Sequence, residues 1–368
     1  MRICLLKQIV CFSGSSWYSA RNRTRVRLLI LAIILLLFAC QGAEKGRSSI
    51  EAGIGEPREY KVRSIPLAGK LKNEWAEVSG LAWYRDHLIL LPQYPDRFSS
   101  GADGRIFAIS KGRILAFLDG KSRAPILPRE IPFVAVGIEK KIKGFEGYEA
   151  IAFKGNRVFM SIESKPGEQM MGYLISGEIA TDLSAVRLNP ESLREIPPQA
   201  HLENMSNEAL LVVKDRVVSF YEANGVNINS NPSAYVFDLS LRALGTLSSP
   251  QIEYRITDAT APDSEGRFWV MNFLYPGDRA KLKPAPDAWA ARYGLGPTHS
   301  RSATVERLVE FQYTDTQILA TRRAPIQLEL LEDDRARNWE GLVRLDQRGF
   351  LLMTDRYPKT ILGFVSAH

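Results

Sequence analysis

The clearest pattern along the chain is a pair of apolar runs folded about a short polar turn. In 339–358, WEGLVRLDQRGFLLMTDRYP, Glu340 opens a run from Gly341 to Leu345. The tetrad Asp346-Gln347-Arg348-Gly349 interrupts it, and a second run, Phe350 to Met353, ends at Asp355. Two runs of about five residues around a polar, glycine-containing turn predict a β-hairpin. The start of one strand and the end of the other then share the open end, which places Glu340 beside Asp355.

The unit recurs as 148–164 (YEAIAFKGNRVFMSIES), 207–225 (NEALLVVKDRVVSFYEANG) and 257–273 (TDATAPDSEGRFWVMNF), with a weaker copy at 78–95 (VSGLAWYRDHLILLPQYP). The opening positions are Ser79 (with Glu77 before it), Glu149, Glu208, Asp258 and Glu340. The closing positions are Gln93, Glu163, Glu222, Asn272 and Asp355. All-β self-similarity at a spacing of roughly 50–80 residues predicts the blades of a β-propeller.

Short apolar segments after each hairpin supply the outer strands: 105–110 and 114–118, 171–175 and 185–188, 235–239 and 244–247, 308–313 and 318–321. After the fifth hairpin only 360–365 remains, while 60–66 stands spare near the start. An N-terminal strand that completes the last blade leaves no open sheet edge. The predicted fold is therefore all-β, a propeller of five blades, or six if 126–144 supplies another. It is closed by its N-terminal strand and spans 60–368.

One insertion, 275–303, joins the fourth hairpin to its outer strands. It carries a predicted short helix at 287–293 stopped by Gly294. A long loop leaving a rigid scaffold at the closing end of a hairpin is a candidate lid over the mouth where the acids gather. Within it Arg292, His299 and Arg301 are the candidate catalytic, substrate-handling residues.

The N-terminal pattern differs. Arg21, Arg23, Arg25 and Arg27 precede an unbroken apolar run, 28–39, too short for a comfortable membrane span. The run ends Leu37-Phe38-Ala39-Cys40, which resembles a bacterial lipobox. That resemblance implies a signal peptide over 1–39, a lipidated Cys40, and a flexible tether over 40–59. It further implies an envelope protein held to a membrane by its lipid. Because no Asp follows the Cys, the sorting rule implies the outer membrane, on the periplasmic side, if the cell is diderm.

Charge now reads differently. The whole chain carries +7, but six of its 48 basic residues and none of its 41 acidic ones lie before Cys40, leaving 42 against 41. The basic balance belongs to the leader and does not point to nucleic acid. All three cysteines, Cys4, Cys11 and Cys40, fall in or at the end of that leader, so the domain relies on its core rather than on disulfides.

The recurring acids are the candidate chemistry. Inner strands of a propeller line its axis, so Glu149, Glu208, Asp258 and Glu340, with Asn272 beside them, should converge at one mouth. Clustered carboxylates need a counter-charge or raised pKa values. Hard oxygen ligands without Cys or His suit Ca²⁺. The competing reading is that the acids accept backbone N–H bonds between blades and repeat because the blades repeat. No nucleophile elbow, phosphate loop or His-Glu-x-x-His is present.

The motifs Ser79-Gly80-Leu81, Glu149-Ala150-Ile151 and Glu340-Gly341-Leu342 resemble the phytase-like (esterase-like) propeller domains of bacterial secreted proteins and lipoproteins. A more distant similarity is to gluconolactonase and paraoxonase propellers, whose calcium is held by Glu, Asp and Asn. The resemblance implies a metal-dependent esterase, phosphatase or lactonase acting on a small molecule, with Ca²⁺ as cofactor. The alternative is a non-catalytic propeller that binds an envelope protein or glycan. Fold alone does not choose between them.

Overall fold

The computed structural model describes residues 57–73, 75–99 and 104–366. The expected leader, Cys40 and most of the expected tether lie outside the described residues. All five hairpins form: Val78–Tyr84 with His87–Pro92, Phe145–Lys154 with Arg157–Ser164, Asn207–Val213 with Arg216–Tyr221, Arg255–Ala259 with Arg267–Leu274, and Trp339–Leu345 with Gly349–Thr354. Their first strands pack one against the next, and the fifth packs against the first, so the described residues form a closed ring of five blades. The chain is a β-propeller.

The continuous apolar runs follow from this layout. The inner strands of each sheet are covered on both faces by neighbouring blades, so strand positions of both parities are buried there, while an outer strand such as Ala243–Ser248 is largely exposed. His87–Pro92 is buried from its second residue onward, and Gly349–Thr354 along its whole length. Between the first two blades Ile89, Leu91 and Ile106 meet Met160 and Ile162, all fully buried. Each such side chain contributes about 1.5–3 kcal/mol relative to exposure.

One outer-strand expectation changes. Residues 114–118 lie in an α-helix, Lys111–Leu118, that buries Ile114 and Leu118 four residues apart on one face. A short apolar run carries no periodicity long enough to separate strand from helix. The first blade is completed instead by Arg129–Val134, which pairs antiparallel with Gly104–Ser110 and parallel with Val186–Leu188 of the second blade. Segment 126–144 therefore welds two blades into one sheet and forms no sixth.

Closure occurs as expected and extends further. Arg63–Ile65 pairs antiparallel with Leu362–Ser366, Ile65 opposite Leu362. Just before it, Glu59–Tyr60 pairs parallel with Ile326–Leu328 of the fourth blade. One N-terminal segment thus binds the last two blades together.

Candidate functional site

Each inner strand carries a register irregularity at the same place. The pairing shifts between Val78 and Gly80, Tyr148 and Ile151, Asn207 and Ala209, Ile256 and Asp258, and Trp339 and Gly341. A bulge turns its extra residue away from the ladder. The residues it skips are Ser79, Glu149 (with Ala150), Glu208, Thr257 and Glu340.

This corrects the fourth blade by one residue. The ring position there belongs to Thr257, not Asp258, and a shift of one residue in a strand reverses the face. Asp258 is buried and accepts the backbone N–H of Ala259 at 2.8 Å and of Leu342, in the fifth blade, at 2.6 Å. It does what the competing reading assigned to every acid: it ties one blade to the next. Ser79 Oγ and Thr257 Oγ1 do the same, donating to Tyr148 O and Trp339 O at 2.6 and 2.5 Å. Asn272 is also displaced, because Phe273 holds the closing position. Its amide donates to the carbonyls of Glu253 and Arg255 at 2.9 and 3.1 Å, and its oxygen accepts from Arg307 at 2.8 Å.

The same one-residue shift exposes a residue that sequence reasoning missed. Arg255 stands two residues before Thr257, where the other blades carry Glu77, Gly147, Ser206 and Asn338. Its guanidinium is buried in the ring of acids. Nη2 lies 3.2 Å from both Glu208 oxygens and 3.5 Å from Glu340 Oε1, Nη1 donates to Asn338 Oδ1 at 3.4 Å, and Nε is bonded to Glu222. A correct register in the fourth hairpin would have found it. The fourth blade is where the acid pattern breaks, with Arg255, Thr257 and Phe273 at the three mouth positions.

Glu149, Glu208 and Glu340, three of the five metal candidates, do converge. With Glu163 and Asp355 they line a polar cavity of about 350 Å³, completed by Glu77 and Glu146 and by the cations Arg97, Arg255 and Arg356. Seven carboxylates thus meet three guanidiniums. Gln93 donates to Glu149 at 3.0 Å and Asn338 to Glu340 at 2.7 Å, while Arg97 pairs with Glu77. Glu163 is almost wholly buried, and its Oε1 has no hydrogen-bond partner, nor has Asp355 Oδ1.

The surplus shows in the protonation equilibria. Burial, then the charges of Glu163, Glu208 and Glu340, push Glu149 well above the usual carboxylate range. Burial, then Glu208, raise Glu163 to about 8 despite the nearby Arg255 and Ser206. Burial, then Glu77, raise Asp355 to about 7. Burial, then Asp355, hold Glu340 high, and burial raises Glu208 against the pull of Arg255. Tyr94 beside them rises to about 12 through burial and Glu149.

As donors, these oxygens suit a hard divalent cation. Among the described residues no three Asp, Glu, His or Cys side chains already stand in a metal-holding arrangement.

The loop candidates do not join this cavity. The expected helix is present as Ala288–Tyr293, capped by Asp287, whose carboxylate accepts from Trp289 and Ala290 N–H and clasps Arg307 at 2.8 and 3.1 Å. His299 is buried; its Nδ1 meets Glu59 Oε1 at 2.8 Å and its Nε2 accepts the Glu306 N–H at 3.3 Å. Thr298 and His299 N–H also donate to Glu59 at 3.0 Å. Burial raises the Glu59 carboxyl, but these hydrogen bonds outweigh it and hold its pKa low. His299 therefore fastens the N-terminal segment through Glu59. Arg292 is exposed over the Tyr293 ring at 5.1 Å, and Arg301 donates to Pro297 O at 3.0 Å. The loop packs on the third and fourth blades and the N-terminal strand: Leu282 is buried with Met205 and Tyr221, Asp287 clasps Arg307, and Glu59 holds Thr298 and His299. Only its first residues, Tyr275, Pro276 and Asp278, border the mouth, in a second cleft that shares Arg255, Asn338 and Tyr357 with the carboxylate cavity.

Fold and site together define a β-propeller with a carboxylate-lined cavity at one mouth. No protein-family model matches the sequence, and no curated protein matches it. Among solved structures the chain is similar to a glucose dehydrogenase at 12% identity and a TM-score of 0.42, covering 84% of this chain and 100% of that one. It is similar to a putative glycoside hydrolase from Parabacteroides distasonis at 12% identity and 0.42, covering 87% and 95%. It is also similar to the soluble aldose sugar dehydrogenase of Escherichia coli at 10% identity and 0.41, covering 84% and 100%. Similarities at this level carry no assignment of activity.

Proposed function

We propose that the carboxylate cavity takes up a divalent cation of the Ca²⁺ type, and that the protein is a cation-dependent hydrolase of phosphate esters or lactones at the cell envelope. The observation that carries this reading is the buried Glu163 Oε1, unpartnered, in a cavity where carboxylates outnumber guanidiniums. Glu149, Glu163, Glu208 and Glu340 would hold the cation. When bound, it would supply a Lewis acid that polarises a carbonyl or phosphoryl oxygen. Arg255 orients Glu208 and Glu340 and can donate to a substrate oxygen. Asp355, with a pKa of about 7, can take or release a proton near neutral pH. The motif resemblance to phytase-like propellers supports the same reading. The alternative, a non-catalytic platform, is favoured by one observation: Arg255 already supplies a counter-charge from within the protein.

The pH dependence tests the cavity. Carboxyls whose folded pKa is raised bind more protons folded than unfolded. Their stabilisation is complete below about pH 4.5 and is lost as pH rises through about 7 and 8, the values for Asp355 and Glu163. Without divalent cation the melting temperature should fall between pH 5 and pH 8. Calcium should restore it at pH 8 by binding the ionised form. Glu163→Gln should flatten the slope and weaken the calcium effect. A melting curve at pH 8 indifferent to both calcium and EGTA would remove the cation, and calcium-stimulated hydrolysis of p-nitrophenyl phosphate or δ-valerolactone tests the activity.

We further propose that Cys40 carries the lipid. Cys40→Ser should move the protein from the membrane to the soluble fraction; a variant that is cleaved yet remains with membranes would refute the anchor.

A further inference from the structure

Beside the carboxylate cavity lies a larger cleft of about 650 Å³. Its walls are Phe273, Tyr275, Pro276 and Ala336 with Tyr357 and Pro358, and Arg255 and Asn338 form the floor it shares with the cavity. Tyr275 and Tyr357 are 54% and 60% exposed. They come from separate segments, the start of the 275–303 loop and the turn after the fifth hairpin.

Asp278, Arg335 and Arg255 at this cleft have partners of opposite charge within the protein, and Asp334 has a hydrogen bond. Asp278 faces Lys281 at 3.3 Å, Arg335 faces Asp333 at 2.6 Å, Asp334 accepts the Ser302 hydroxyl at 2.5 Å, and Arg255 is held by its acids. The cleft therefore offers a neutral ligand aromatic rings, two phenolic hydroxyls and the second N–H of the Asn338 amide, whose first is donated to Glu340. With the cavity free of cation, an anionic ligand would face the seven carboxylates next door, and a cationic one would be drawn past the cleft into them. A bare hydrocarbon would cover the tyrosine hydroxyls without replacing their hydrogen bonds to water. The ligand that satisfies all of these is a ring with apolar C–H faces and hydroxyls at its edge.

We infer that this cleft is a subsite for a neutral saccharide, its ring faces against Tyr275 and Tyr357 and its hydroxyls toward Asn338. The volume lies within the 300–1,000 Å³ span of small-ligand sites. The subsite goes beyond the hydrolase reading and does not depend on it.

The test is saturation-transfer NMR on the whole protein with cellobiose, maltose and N,N′-diacetylchitobiose as probes, and with tetramethylammonium and benzyl alcohol as the cationic and apolar controls. Saturation transfer to at least one disaccharide is expected. Tyr275→Ala and Tyr357→Ala should each weaken it at least fivefold, and the Tyr→Phe variants should retain most of it. Both rings are exposed, so the alanine variants should melt with the parent, which separates lost binding from lost folding. Glu163→Gln, which disables the proposed cation site, should leave saccharide binding unchanged. The inference is overturned if none of the three sugars shows transfer, if the alanine variants bind as the parent does, or if only a control ligand occupies the cleft.

Discussion

Arg255→Met is expected to lower the melting temperature at pH 8 by roughly 10 °C. Removing one partner from a buried ionic network costs about 3–5 kcal/mol, because the remaining charges stay buried without compensation. For a domain of this size each kcal/mol corresponds to about 2–4 °C. Here the abandoned groups are Glu208, Glu222 and Glu340, all buried around the guanidinium. The loss should shrink markedly at pH 5, since Arg255 is one of the charges that lowers the pKa of Glu163, Glu208, Glu340 and Asp355. Without it those carboxyls hold their protons to higher pH. The proton difference between folded and unfolded states then widens, and stability falls more steeply from pH 5 to pH 8. Arg255→Lys should fall between parent and Met variant, as it keeps the charge but not the fork that reaches three carboxylates. Thermal melts of the three proteins at the two pH values decide the matter. A Met variant that melts like the parent at pH 8 would mean that the guanidinium does not balance the cavity.

The second large effect concerns closure. Deleting 57–66 removes the strand partner of Leu362–Ser366 and the partner of Ile326–Leu328, and also Glu59, the carboxylate that fastens His299 and Thr298. It uncovers the edge of the fifth blade and the apolar surface under Ile65, which is 1% exposed. An open apolar edge pairs with other chains, so the truncated protein should aggregate on concentration or melt at least about 10 °C lower. Sedimentation velocity and a thermal melt distinguish the two. A monomer with the parental melting temperature would show that the ring holds without its N-terminal segment.

The shared hairpin register was visible in the chain because it rests on local chemistry. Apolar runs of strand length about a polar turn place all five hairpins, acids mark the ends of most of them, and the spare segment near 60–66 pointed to closure. Glu149, Glu208 and Glu340 were legible as a converging set for the same reason. What failed was a single residue of register in the fourth hairpin, which put Asp258 and Asn272 at the mouth and hid Arg255. The bulges that set the register are made by pairing and leave no mark in composition.

The sequence by itself determined the all-β repeat and the acid-rich character of one end, since strand length, turn position and end residue are properties of neighbours along the chain. Only the tertiary structure decided which residues face the axis, because a bulge of one residue exchanges the two faces of a strand. It also decided that the helix Lys111–Leu118 replaces an outer strand, that His299 is locked to Glu59, and that a buried arginine stands among the acids. Each depends on partners distant in the chain, whose burial and charge act only once the ring is closed.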